Sequence, residues 1–194
     1  MNIHKNIRTT LVRCAAALCL LSMALPGTAG AGEVVVGGKT LKMLGKSMRE
    51  FLFIDIYELS AYSVSGQCEP GKIVYNNEPK SMHLKMARDI PKDRLTSNLR
   101  GTFEDNYPKK GDVEGLKKKV DEFLGRFKND LKEGVYVEIN YVPGQGTTVK
   151  ENGKPLGAPV PGRDFAELVW RSYFGGNTCC GSLKRNIIKQ CKGE

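Results

Sequence analysis

Between positions 49 and 62 the chain places Arg49, Asp55, Tyr57, Glu58 and Tyr62 in a largely apolar run. A guanidinium grips a carboxylate or an enolate through two parallel hydrogen bonds, and phenol hydroxyls can donate to the same oxygens. Polar groups buried in such a run are costly without partners. Either Arg49 is a structural ion pair with Asp55 or Glu58, or it is held for an anionic ligand. Beyond residue 31, His83 is the only histidine. A histidine metal centre and a Ser-His-Asp triad therefore have no support, and His83 reads as an ordinary sheet residue. The chain has no CxxCH haem-attachment site, P-loop or zinc-finger spacing, so neither a metal, a cofactor nor nucleic acid is expected.

The elements that must position these groups follow from periodicity. Residues 49–62 read as one long strand, apolar on both faces and central in a sheet. Residues 33–36 and 39–44 read as a hairpin around Gly37-Gly38. Residues 65–77 read as loop, and 80–89 as a strand. Leu95, Leu99 and Phe103 mark a helix over 91–107. Leu116, Val120, Phe123, Leu124, Phe127 and Leu131 mark a second, opened by Asp112 and ended by Gly134. Strands over 134–142 and 147–151, a Pro-interrupted edge over 154–160, and helices over 163–174 and 182–189 complete the order. Strands followed by helices imply an α+β fold, a large antiparallel sheet with helices packed on one face.

The first 31 residues read as a signal peptide. Basic residues precede the apolar run 14–25, Pro26-Gly27 breaks it, and Ala29-Gly30-Ala31 suits cleavage. The expected mature domain is 32–194, exported, and periplasmic in a Gram-negative source. The whole chain carries a formal charge of +9. Without its first 31 residues, which hold Lys5, Arg8 and Arg13 and no acid, 27 bases face 21 acids, about +6. The lysines between 109 and 128 read as a solvated helix face, with peripheral contact to an anionic membrane surface as the sharper alternative.

Four cysteines remain in the mature chain: Cys68, Cys179, Cys180 and Cys191. An even count in an exported protein favours two disulfides. Adjacent cysteines rarely bridge, so Cys179 and Cys180 are each expected to take one of Cys68 and Cys191. A continuous helix over 182–190 would hold Cys180 and Cys191 about 16 Å apart, too far for a bridge. Connectivity stays open.

The order and spacing of several short motifs resemble the chalcone isomerase-like family, in its bacterial exported branch. These are Leu44-Gly45, Arg49-x-x-x-Phe53-x-x-x-Tyr57-x-x-x-x-Tyr62, Arg88-Asp89-Ile90-Pro91, Tyr141-x-Pro143-Gly144-x-Gly146-Thr147, Asn152-Gly153, and Asp164-Phe165 ahead of Tyr173-Phe174-Gly175. The resemblance implies an open-faced β-sandwich with a ligand cleft between sheet and helices. It implies Arg49 as the anion-holding arginine, Tyr57 in place of the enzymes' threonine, and Asn98 in place of their asparagine. Tyr57 and Asn98 are thus the candidate catalytic residues, and Arg49, Tyr57, Tyr62 and Asn98 the candidate ligand-binding ones. The enzymes' catalytic tyrosine has no counterpart, because Ile90-Pro91 occupies that region. The implied function is a non-catalytic carrier of a small amphipathic acid such as a fatty acid. Phe51, Phe53, Met82, Met86, Leu95, Leu99, Phe103 and Val169 are the candidates to line its tail pocket. An isomerase acting on an enone and an envelope partner-binding protein are the alternatives.

Overall fold

A computed structural model describes residues 33–194; the expected signal peptide falls outside the described residues. Seven antiparallel strands form a curled sheet in simple chain order. They are β1 (Val34–Val36), β2 (Lys39–Phe51), β3 (Ile54–Ser63), β4 (Lys80–Met86), β5 (Tyr136–Val142), β6 (Gly146–Glu151) and β7 (Lys154–Pro155). The helices are α1 (Pro70–Tyr75), α2 (Lys92–Glu104), α3 (Val113–Leu124), α4 (Arg163–Phe174) and α5 (Gly181–Lys192). The α+β expectation holds, with the main core between one sheet face and the helices.

The alternation of strand side chains decides the two faces. Leu59 and Ala61 of β3, Met82 and Leu84 of β4, Val137 and Ile139 of β5 and Val149 of β6 are buried in the main core. Against them lies α4, whose Phe165, Leu168, Val169, Trp170, Tyr173 and Phe174 are all buried. The helix is apolar around most of its circumference because it is covered on both sides, by the sheet and by the outer helices. Asp112 caps α3 as expected, its side chain accepting from the Gly115 amide at 2.8 Å. Phe127 and Leu131, expected on the same helix, are buried beyond its end. Their chain turns to a bridge between Leu131 and Ile90.

The single strand expected over 49–62 is corrected to two strands and a turn. β2 and β3 pair antiparallel, Phe51 opposite Ile54, so Leu52 and Phe53 are the turn itself. Both have positive φ, 49° and 66°, the two-residue turn whose twist matches a hairpin. Such positions favour Asn and Gly; bulky apolar side chains hide the turn from any reading of periodicity. The segment expected as loop over 65–77 contains α1, a short helix started by Pro70.

Two features tie the periphery to this frame. Lys80 is fully buried, and its Nζ donates to the carbonyls of Ile73, Val74 and Asn76 at 2.9, 2.7 and 3.2 Å. A cation thus satisfies the carbonyls that the C-terminus of α1 leaves open. Burial lowers its pKa to about 8. A disulfide joins Cys68 to Cys191, Cα atoms 5.5 Å apart, and staples α5 to the segment after β3. Closing 123 residues of chain, a bridge of this kind contributes about 2–5 kcal/mol.

The other sheet face carries Glu58, Ser60, Tyr62, Ser81, His83, Lys85, Glu138, Asn140 and Lys150, alternate residues of β3 to β6. β1 and the start of β2 fold over one end of it, where Val36, Leu41 and Tyr62 form a second, smaller core. His83 is buried beneath the Tyr62 ring, centroids 4.8 Å apart, with Nδ1 2.6 Å from the Tyr136 hydroxyl. Burial lowers the His83 pKa and raises that of Tyr136 to about 12. Tyr136 therefore keeps its proton and donates it, and His83 stays neutral. Because the folded pKa of His83 lies below its unfolded value of 6.5, the unfolded chain takes up the proton first as pH falls. Stability should therefore decline as pH drops below 6.5 towards the folded pKa. Urea midpoints should show that decline in the wild type and a shallower one in His83→Gln.

Candidate functional site

Arg49 and Tyr57 stand directly opposite each other in the β2–β3 ladder. Their side chains emerge on the helix side, as do Ser47 and Leu59. α5 lies across β2 here because Gly45 has no Cβ. Its φ is 152°, and a Cβ would come 2.9 Å from the Ile187 carbonyl oxygen. Gln190 then bonds both backbone groups of Lys46, Nε2 to the carbonyl at 2.7 Å and Oε1 from the amide at 3.0 Å. Asn186 donates to the Ser47 hydroxyl at 3.1 Å. The N-terminus of α5 is thereby brought to Tyr57, whose hydroxyl is 3.7 Å from Cys180 Sγ.

Tyr173, from the end of α4, lies close enough to Tyr57 for each to shift the other's ionisation. Burial, then the neighbouring Tyr173, push Tyr57 well above the ordinary phenol range, and the positive charge of Arg49 opposes the rise. Burial likewise raises Tyr173, against the opposing effects of the Tyr57 hydroxyl and Arg49. Both are neutral donors at physiological pH. Arg49 is half-buried and spends one hydrogen bond on the Glu50 carbonyl, Nη1 to oxygen at 3.0 Å. Among the described residues it makes no ion pair. Glu58, one expected partner, binds Lys46 at 3.3 Å instead, and Asp55 is exposed at the hairpin end.

The expected residues are thus only partly brought together. Tyr62 points to the opposite sheet face, five residues from Tyr57 and so of opposite parity. Asn98 is exposed on α2; its backbone carbonyl accepts from the Thr102 hydroxyl at 2.8 Å, and its side chain makes no hydrogen bond among the described residues. Tyr173 and Cys180 join the site in their place. The sequence shows Tyr173 only as one residue of an apolar helix face and Cys180 only as a disulfide candidate. Nothing local marks either as a neighbour of Tyr57.

The disulfide expectation is corrected here. Cys179 and Cys180 bridge each other, and Cys68 takes Cys191. α5 is continuous from Gly181, so the helix itself separates Cys180 from Cys191, as its length requires.

The expected cleft is also corrected. Met82, Met86, Phe103 and Val169 pack in the closed core, and Leu95 and Leu99 lean against it. Two shallow concavities of about 240 and 220 Å3 share Arg171 and Gly176 in their linings, and neither includes Arg49. Phe51 and Phe53 are exposed. With Leu52 and Ile54 they project from the hairpin end, Leu52 74% and Phe53 100% exposed.

With this geometry in place, comparison with known proteins identifies the class. The family model described as chalcone isomerase-like matches residues 23–188, and the chain belongs to that family. No curated protein sequence matches the chain. The fold is similar to the crystal structure of a fatty-acid binding protein of Arabidopsis thaliana, with a TM-score of 0.62 and 13% identity. The match covers 82% of this chain and 97% of that one.

An alkaline absorbance titration should find two tyrosines that ionise above the ordinary phenol value of about 10 because of this site. Tyr57→Phe should remove one of them and move the other. A wild-type titration in which every tyrosine ionises together near that value would show that the hydroxyl pair is not buried.

Proposed function

We propose that this is an exported, non-catalytic binder of a small amphipathic acid such as a fatty acid. The observation that carries the reading is Arg49, a half-buried cation without a carboxylate partner among the described residues, beside two neutral phenol hydroxyls. A carboxylate would supply the missing counter-charge. The guanidinium would hold it by charge-assisted hydrogen bonds, with the tyrosines as neutral donors nearby. The tail has an apolar surface beginning two residues away, at Phe51. Family membership and the likeness in fold to a fatty-acid binding protein support the reading. The isomerase alternative loses one of its expected groups, since Asn98 is exposed on α2.

The test is Arg49→Met, titrated with lauric to stearic acids. Loss of a charge-assisted hydrogen bond corresponds to roughly 1.5–3 kcal/mol, so affinity should fall at least about tenfold with the thermal midpoint little changed. Equal affinity in the variant, or no saturable binding by the wild type, would sink the proposal.

A second reading, contact with a lipid surface, is favoured by the hairpin end. Leu52 and Phe53 stand in left-handed backbone, which costs roughly 1–2 kcal/mol per residue, and both side chains are largely exposed, so burial does little to offset it. Four consecutive apolar residues on a convex finger fit a deformable surface better than a rigid groove. The basic face around α3 is less free than its lysine count implies, since Lys117 pairs with Glu114 and Lys119 with Asp164. Binding to phospholipid vesicles should therefore be only weakly salt-dependent and should be lost in Leu52→Asn/Phe53→Gly, which suits the turn better. Binding that survives that change, or that disappears with modest salt, would assign the contact to the basic face instead.

A further inference from the structure

The two disulfides differ in what they can do for the chain. Cys68–Cys191 closes a long loop and so removes much conformational freedom from the unfolded chain. Cys179–Cys180 encloses no residue besides the two cysteines. It restricts almost nothing, and chain entropy gives no reason for its presence. Its surroundings are those of reactive sulfur. Cys179 is exposed, while Cys180 is buried. Cys180 is the N-cap residue of α5, a helix of 12 residues with no acid in its first turn. The Cys180 side chain makes no cap hydrogen bond in the disulfide, so the open first-turn amides are left available to a thiolate. The Tyr57 hydroxyl lies 3.7 Å from Cys180 Sγ, placed to donate to it. The segment is fixed from behind. The Cys179 amide donates to the Ser172 carbonyl at 3.2 Å, the Thr178 hydroxyl to the Tyr173 carbonyl at 2.7 Å, and the Cys180 amide to the Thr178 hydroxyl at 3.2 Å.

We propose that Cys179–Cys180 is a thiol–disulfide exchange site for a dithiol partner, with Cys179 the sulfur attacked and Cys180 the leaving group. A thiolate of the partner attacks Cys179 Sγ. A bond forms between the two sulfurs, the Cys179–Cys180 bond breaks, and the electron pair leaves on Cys180 Sγ. There the α5 N-terminus and the Tyr57 hydroxyl stabilise the charge. The partner's second thiol, as thiolate, displaces Cys179 from the mixed disulfide. The partner departs as a disulfide, and its two protons end on Cys179 and Cys180. The reverse sequence reoxidises the pair. Tyr57 is a positioning residue in this scheme, because it acts through Cys180. The inference shares Tyr57 with the ligand reading but needs neither Arg49 nor an acid, so the disulfide chemistry can be tested in the wild type without any ligand.

The experiment is graded reduction of the folded protein with dithiothreitol, followed by alkylation and peptide mapping. Cys179 and Cys180 should be labelled at dithiol concentrations at least tenfold below those that open Cys68–Cys191, with the far-ultraviolet circular dichroism unchanged. In Tyr57→Phe, opening of the pair should be several-fold slower while Cys68–Cys191 behaves as before. Two wild-type results overturn the proposal whether or not the variant folds. One is labelling of Cys179 and Cys180 before any reductant is added. The other is opening of both disulfides together, only as the structure is lost.

Discussion

The contact on which the site depends is α5 laid across β2. A hairpin extending beyond the rest of a sheet has two bare faces, and here one of them is covered by a helix that can approach only at a residue without a side chain. Gly45 provides that point. Gln190 and Asn186 then bond the strand beside it, and the bridge to Cys68 anchors the far end of the helix. The consequence is felt a helix length away, where the N-terminus of α5 delivers Cys180 to Tyr57.

This arrangement explains why a polar group can persist at the edge of an apolar core. Tyr57 and Tyr173 remain neutral, and the Tyr57 hydroxyl has Cys180 Sγ at 3.7 Å, so no buried charge needs compensation. Arg49 sits at the edge of the core, half in solvent, where a lone charge is tolerated and a counter-ion is attracted. A fully buried guanidinium would have needed a carboxylate from the chain. The deeper cation, Lys80, shows that other solution: three carbonyls at a helix end, the Trp170 ring at 5.0 Å, and a depressed pKa.

The hairpin end and the closed core bear on the same question from opposite sides. Apolar residues expected to form a cleft are instead either packed, as with Met82 and Phe103, or displayed, as with Leu52 and Phe53. An amphipathic ligand anchored at Arg49 would therefore meet an apolar surface outside the core rather than a cavity within it. A lipid surface would use the same finger, so the two readings compete for, or share, one structure.

How much of this could be read from the chain follows from the range of each signal. α3 and α4 were legible in their apolar stripes and in the Asp112 cap, and the turns at Gly37-Gly38 and Asn152-Gly153 in residues that tolerate positive φ, because those are local properties. Along β4, alternation puts Met82 and Leu84 in the core and His83 on the outer face, as strand geometry requires. The turn at Leu52-Phe53 was not legible, since its residues obey strand propensity and yield only to the pairing of Phe51 with Ile54. Tertiary structure alone decided which cysteines meet, because sequence bears on their separation along the chain and not in space. It likewise decided that Tyr173 and Cys180, rather than Tyr62 and Asn98, surround Tyr57. A strand residue's partners are set by which helix covers its face, and that choice is made by the packing of the whole core.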